Sequence, residues 1–287
     1  METERNTRVR EAFLAACRLD VQARKPGNVS FASAGHRMHA DLFIASAEAA
    51  VGPLCTPGRR VGERIAVAMH ATLSVVHCNT NLGIRLLCAP LAAAAQSVAE
   101  PGDAATLRSA LEVVLHDLDV ADAKAAFRAI AAANPGGLGT AAEQDVAQPP
   151  SVGLREAMAL AADRDLIALQ YTNGFSAVFD TGLPAWRAAL AGDGSDAQVA
   201  MQSVFLAFLA AHSDSHIVRK HGEALAQSVM TEAQPWHALA GSGGLAGAAE
   251  ALAAWDEALK LRCINPGTCA DLSVATAFVA ALTGLQR

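Results

Sequence analysis

Arg8-Val9-Arg10-Glu11-Ala12-Phe13-Leu14-Ala15-Ala16-Cys17-Arg18-Leu19-Asp20-Val21-Gln22-Ala23-Arg24, followed at once by Lys25-Pro26-Gly27-Asn28-Val29, sets the pattern for the whole chain. Val9, Phe13, Ala16, Cys17 and then Asp20–Val21 recur at helical spacing, so the run reads as an amphipathic helix. Pro26 ends it, because a proline ring cannot continue the backbone ladder. The same unit, a helical run and then a Pro, Gly or Asn break, recurs to the end of the sequence.

Working outward, residues 41–51, 62–76, 82–98, 104–115 and 120–133 read as helices, with Pro90 expected to kink the third of these. Pro101-Gly102-Asp103 reads as a stop followed by an acidic N-cap. Further helices are expected over 153–171, 184–191, 196–212, 216–229, 244–262 and 269–282. Alternation of period two is almost absent, and no repeat of solenoid length stands out. The expectation is an all-α protein, one compact domain over 1–287 made of about a dozen packed helices. Residues 139–150, rich in Pro and polar side chains, are the best candidate for a linker.

Composition supports buried, closely approaching helices. Hydrophobic residues make up 52% of the 287 residues, charged ones 17% and aromatics 5%, with a single Tyr. A core of Ala, Leu and Val follows, with apolar area left over that favours a homo-oligomer. The net charge of −6 argues against nucleic acid as a partner, since phosphate neutralisation needs a basic face. Residues 1–24 mix charges with Ala and Leu and do not read as a signal peptide. The longest tempting apolar stretch, 86–95, falls far short of the roughly 20 residues a membrane span needs. Six cysteines without a CxxC pair suit a cytoplasmic, reducing setting.

Chemistry therefore has to sit at the polar breaks. Pro26-Gly27-Asn28-Val29 near the start and Asn265-Pro266-Gly267-Thr268 near the end are nearly the same loop, and Asn79-Thr80-Asn81-Leu82-Gly83 is a third. Each offers side-chain amides or free backbone N–H groups, and any one alone could be an ordinary turn. Asn134-Pro135-Gly136-Gly137-Leu138-Gly139 is the strongest loop signal of all. Asp41, close after His39, is either a first-turn helix acid or a working carboxylate. His212 and His216 have metal-helix spacing, but Ser213-Asp214-Ser215 between them looks like a helix break, and no HExxH motif is present. Arg219-Lys220 with Asp214 suits a phosphate–Mg²⁺ ligand, and Asp271 follows the last loop at a helix start. No Walker A loop and no GxGxxG after a strand occurs.

In order, Lys25-Pro26-Gly27-Asn28-Val29, His39-Ala40-Asp41-Leu42 with Phe43 and Ser46, and Asn79-Thr80-Asn81-Leu82-Gly83 resemble blocks of the triphosphoribosyl-dephospho-CoA synthase family. Asp214 with Arg219 and Gly222, then Pro266-Gly267 with Ala270-Asp271-Leu272, continue the likeness, which runs from about residue 12 to 283. The resemblance implies an all-helical enzyme that uses ATP as a ribosyl donor, a hydroxyl of dephospho-CoA displacing adenine at C1′. It departs from the decarboxylase-linked members, which carry Asn-Thr-His-Lys/Arg-Gly and an Arg-Gly-Glu-Ala block. This form looks like the branch of archaea and one-carbon-metabolising bacteria. That leaves two rivals: action on another phosphate-bearing precursor of a methanopterin- or methanofuran-type coenzyme, and an assembly protein that keeps the fold without catalysis.

On the enzyme reading, Asp41 with His39 is expected to serve as base and Asp214 to join the catalytic group. Lys25, Arg219 and Lys220 would neutralise the triphosphate, and Asn28, Asn79, Thr80 and Asn81 would hydrogen-bond ribose or phosphate. Gly27, Gly83, Pro266, Gly267 and Thr268 would shape the nucleotide loops. Mg²⁺ entering with ATP would be held by Asp214 and Asp271, and zinc is not expected.

Overall fold

The computed structural model describes residues 2–99, 102–192 and 196–285, so the expected stop at Pro101 lies outside the described residues. Among these every regular element is helical, and the β features are two isolated bridges, Ser30 with Ser33 and Gly35 with Met38. The α-helices in chain order are α1 (Glu2–Gln22), α2 (Ala40–Leu54), α3 (Val61–Val76), α4 (Leu82–Ser97) and α5 (Ala104–His116). Next come α6 (Val120–Ala133), α7 (Leu154–Ala159), α8 (Leu166–Asn173), α9 (Leu183–Leu190) and α10 (Ala197–Ala211). The last four are α11 (Ser215–His221), α12 (Glu223–Gly241), α13 (Ala249–Leu261) and α14 (Gly267–Leu282).

Two helices make the centre because they are apolar all round, which only a buried helix can be. In α14 every residue from Leu272 to Ala280 is buried, and in α4 the run Leu86–Leu91 is buried likewise. They pack on each other, with α1 and α10 against α14. Val204, Phe205, Leu206, Phe208 and Leu209 of α10 are fully covered. The single Tyr, Tyr171, is buried and donates to Leu86 O at 2.6 Å, which satisfies its hydroxyl inside the core. Phe13 meets Phe278 edge to face at 6.1 Å, tying the first helix to the last. Phe278→Ala should therefore lower unfolding free energy by about 3–5 kcal/mol in a urea titration, the range for a buried aromatic truncation.

Several boundaries differ from the sequence reading. The expected helix over 153–171 is two, because Asp165 caps a new start by accepting from Ile167 N at 2.8 Å and Ala168 N at 3.1 Å. The expected helix over 216–229 breaks at Gly222, whose φ is +90°. The second half, α12, then runs on through Pro235 to Gly241. The run 82–98 is one element, as expected, with Pro90 inside α4. Residues 139–150 are no free connector: Asp145 gathers them by accepting from Ala141 N at 2.7 Å and Ala147 N at 2.8 Å, and several of them wall the cavity described next.

Candidate active site

The two similar loops, far apart in sequence, dock on each other. Gly27 N donates to the buried Asp256 Oδ1 at 2.8 Å, its carbonyl oxygen contacts His36 Nε2 at 2.8 Å, and Asn28 Nδ2 donates to Asn265 Oδ1 at 2.9 Å. Gly27 has φ +82°, and a Cβ there would lie 2.8 Å from both Ile264 O and Pro266 Cδ. Only glycine allows that contact at that angle. Asp256 is itself held by Arg24 and Lys260, at 3.2 and 2.9 Å.

Beside this junction lies a cavity of about 580 Å³. The Asn79–Gly83 break, the loop at 134–139, Asn28, Arg219, Lys220, Gly267, Thr268 and Asp271 all line it. The polar breaks and the segment ending at Lys220 thus meet, as the sequence suggested. The Asn79–Gly83 break is braced from behind by Arg85, a wholly buried guanidinium. Arg85 donates to Thr80 O, to Thr72 Oγ1 and to Ser46 Oγ at 2.7 Å, and burial lowers its pKa to about 10. Thr80 Oγ1 reaches Ser46 Oγ at 2.7 Å and Asn81 Nδ2 reaches Phe43 O at 3.3 Å, so the loop has little freedom.

Asp271 enters the cavity from the first turns of α14, against Gly83. A Cβ on Gly83 would lie 2.0 Å from Asp271 Oδ2 and 2.7 Å from Ile167 Cδ1. Burial pushes the Asp271 carboxyl pKa well up, the Asp20 and Asp214 carboxylates push it further, and Arg219 opposes them. Arg219 Nη1 pairs with Asp165 Oδ2 at 2.9 Å. His216 faces the same cavity, and burial with the neighbouring Lys220 and Arg219 cations pushes its pKa down to about 3. The native state then resists a proton that the unfolded chain accepts below about pH 6.5. His216 should cost up to about 1.4 kcal/mol of stability per pH unit as pH falls from 6.5 towards 3. His216→Asn, compared with the parent by urea titration across that window, should show the flatter profile.

Other expected site residues lie elsewhere. His39 and Asp41 are exposed and outside the cavity lining; Asp41 sits in the first turn of α2, where a carboxylate suits the helix dipole. Asp214 is wholly buried and already spent as a cap. Its Oδ1 accepts from His216 N at 2.9 Å and Ile217 N at 3.1 Å, and its Oδ2 from Cys269 N at 2.8 Å, which leaves no oxygen directed at a metal. Burial raises its pKa, while these N–H donors pull the other way. Lys25, Gly27 and Pro266 frame the loop junction and do not line the cavity. Lys25 is buried and paired with Asp20, so it is not a free phosphate cation. Among the described residues no cluster of three or more His, Cys, Asp or Glu comes together in a way that could hold a metal. Sequence reasoning missed Asp20, Asp165 and His36, all cavity residues. Asp165 alone had a signal, the Asp-Leu-Ile start of a helix after a polar stretch.

No curated protein matches the chain significantly in sequence. Among solved structures, a candidate triphosphoribosyl-dephospho-CoA synthase from Archaeoglobus fulgidus is similar, at 23% identity and a TM-score of 0.65. The match covers 85% of this chain and 100% of that one, and supports the fold. With the same ordered blocks lining one cavity, and a match over residues 6–287 to the ATP:dephospho-CoA triphosphoribosyl transferase (CitG) family, the chain belongs to that family of transferases.

Proposed function

We propose that the cavity binds ATP and the hydroxyl-bearing end of a dephospho-CoA-type acceptor, and that the acceptor oxygen displaces adenine from C1′. The observation that carries this reading is the convergence of the Asn79–Gly83, 134–139 and Asn265–Thr268 loops on one cavity with Arg219, Lys220 and Asp271. Arg219 and Lys220 suit the triphosphate, since a guanidinium and an ammonium both favour phosphate oxygens. Asn28, Asn79 and Asn81 would hydrogen-bond ribose hydroxyls and so hold C1′ for in-line attack.

Mg²⁺ belongs to this reading as the companion of the phosphates. Asp214 does not fit such an ion, because N–H donors occupy both of its oxygens. Asp271 fits better: it faces the cavity, and one carboxylate is enough for an ion whose other ligands are phosphate oxygens and waters. Bound there, the ion would neutralise phosphate charge.

Incubation with Mg-ATP and dephospho-CoA should release free adenine, detected by mass spectrometry, and EDTA should stop it. ADP or AMP in place of adenine would refute the reading. Asp41→Asn should turn over within about twofold of the parent, because an exposed surface carboxylate has no path to the reacting atoms. The apolar-rich composition makes self-association part of the proposal, checked by light scattering, and the free thiols of all six cysteines suit a cytoplasmic enzyme.

A further inference from the structure

The cavity offers five carboxylates, and their hydrogen bonds separate them. Asp165 is engaged twice over, capping α8 through Oδ1 and pairing with Arg219 through Oδ2. Asp145 spends both oxygens on backbone N–H groups of its own loop. Glu143 is exposed on that loop. Asp271 is the group assigned to the phosphate end. Asp20 is left.

Asp20 is 4% exposed, lines the cavity, and its carboxylate has Lys25 as its sole partner among the described residues, at 3.0 Å from Oδ1. Nothing hydrogen-bonds to that oxygen in good geometry. Its position is costly. Asp20 sits in the last turn of the 21-residue α1, where the helix dipole disfavours a negative charge. The chain compensates by folding the Lys25 ammonium back beneath the helix end, where it also donates to Asp20 O. A buried carboxylate on the unfavourable end of a helix, neutralised by one buried lysine and left open toward a cavity, breaks local rules in the way functional sites do.

We propose that Asp20 is the general base of the transfer reaction. The assignment rests on the ribosyl-transfer reading above. The acceptor hydroxyl donates a hydrogen bond to the Asp20 carboxylate. As its oxygen bonds to C1′, the C1′–N9 bond breaks and the electron pair leaves on adenine. The hydroxyl proton passes to Asp20, adenine takes a proton from solvent, and Asp20 returns its own to water when product leaves. Asp20 therefore replaces Asp41 in the role that the sequence alone suggested.

The test is adenine release from Mg-ATP with dephospho-CoA as acceptor, read for the parent, Asp20→Asn and Asp20→Ala. The expected result is a fall in kcat of about 10²–10⁴, the range for losing a positioned base, with Mg-ATP affinity unchanged. Formate should partly restore Asp20→Ala, which a structural role would not produce. Because Asp20→Asn strands a buried Lys25, the neutral pair Asp20→Asn/Lys25→Met is made as well and should be folded and equally slow. A folded variant with kcat within threefold of the parent overturns the base assignment alone. A parent that releases no adenine overturns the ribosyl-transfer reading, and the base with it. Loss of Mg-ATP binding in Asp20→Asn makes Asp20 a metal or nucleotide ligand and also overturns the proposal.

Discussion

Gly83→Ala is expected to reduce adenine release by more than about 10²-fold while the protein still folds. The added Cβ would fall 2.0 Å from Asp271 Oδ2, 2.5 Å from Asp271 Cγ and 2.7 Å from Ile167 Cδ1. Asp271 has no room to absorb such a clash in place, because it stands on a helix whose next residues are buried without a gap. Its carboxylate must swing to another rotamer, and a displacement near 1 Å at a reacting centre can cost about 10²-fold. Stability should fall less, by about 1–3 kcal/mol, the usual penalty for overpacking. Turnover and a urea titration on the same preparation separate the two effects. Parent-like turnover would mean that Asp271 does no work in the cavity.

Asp214→Ala should be the most destabilising substitution of a charged residue. Three backbone N–H groups, from two helix starts, end on this one buried carboxylate. Each stranded buried donor costs about 1–3 kcal/mol, and solvation by entering water offsets part of the sum. The expected loss is about 3–5 kcal/mol, read as a lower urea midpoint with an unchanged slope. Asp214→Asn keeps an acceptor oxygen and should recover part of it. A metal-ligand role would instead leave the apo protein stable and remove only Mg²⁺ dependence.

The fold was legible because its signal is additive. Periodicity summed over a dozen or more residues survives local noise, and the helices it marks at 82–98 and 196–212 bury Leu86–Leu91 and Val204–Leu209. Boundaries decided by a single residue were less legible. Gly222 with its φ of +90° splits one apparent run, whose second half then continues through Pro235. At the site, the breaks with odd composition were found because glycine, proline and asparagine mark them in any context. Roles were harder. Asp214 and Asp41 drew attention as acids near histidines, yet one is a buried cap and the other a surface charge. Asp20 drew none, because within an amphipathic helix it looks like any other polar position. What distinguishes it is burial and a partner five residues away, and both are properties of the folded state.

The docking of Asn28 on Asn265, and of α1 on α14, also sets a timetable. The innermost helix, α14, follows α1, α4 and α10 along the chain, so during synthesis these leave the ribosome with the faces meant for α14 uncovered. Contacts of such long sequence separation form late and slowly, and exposed apolar faces meanwhile invite aggregation. No chain that lacks α14 can own the cavity, since Asp20 of α1 and Asp271 of α14 both wall it. Ribosome-stalled chains ending before residue 267 should bind holdase chaperones and stay protease-sensitive, and release of the full chain should bring protection and ATP binding together.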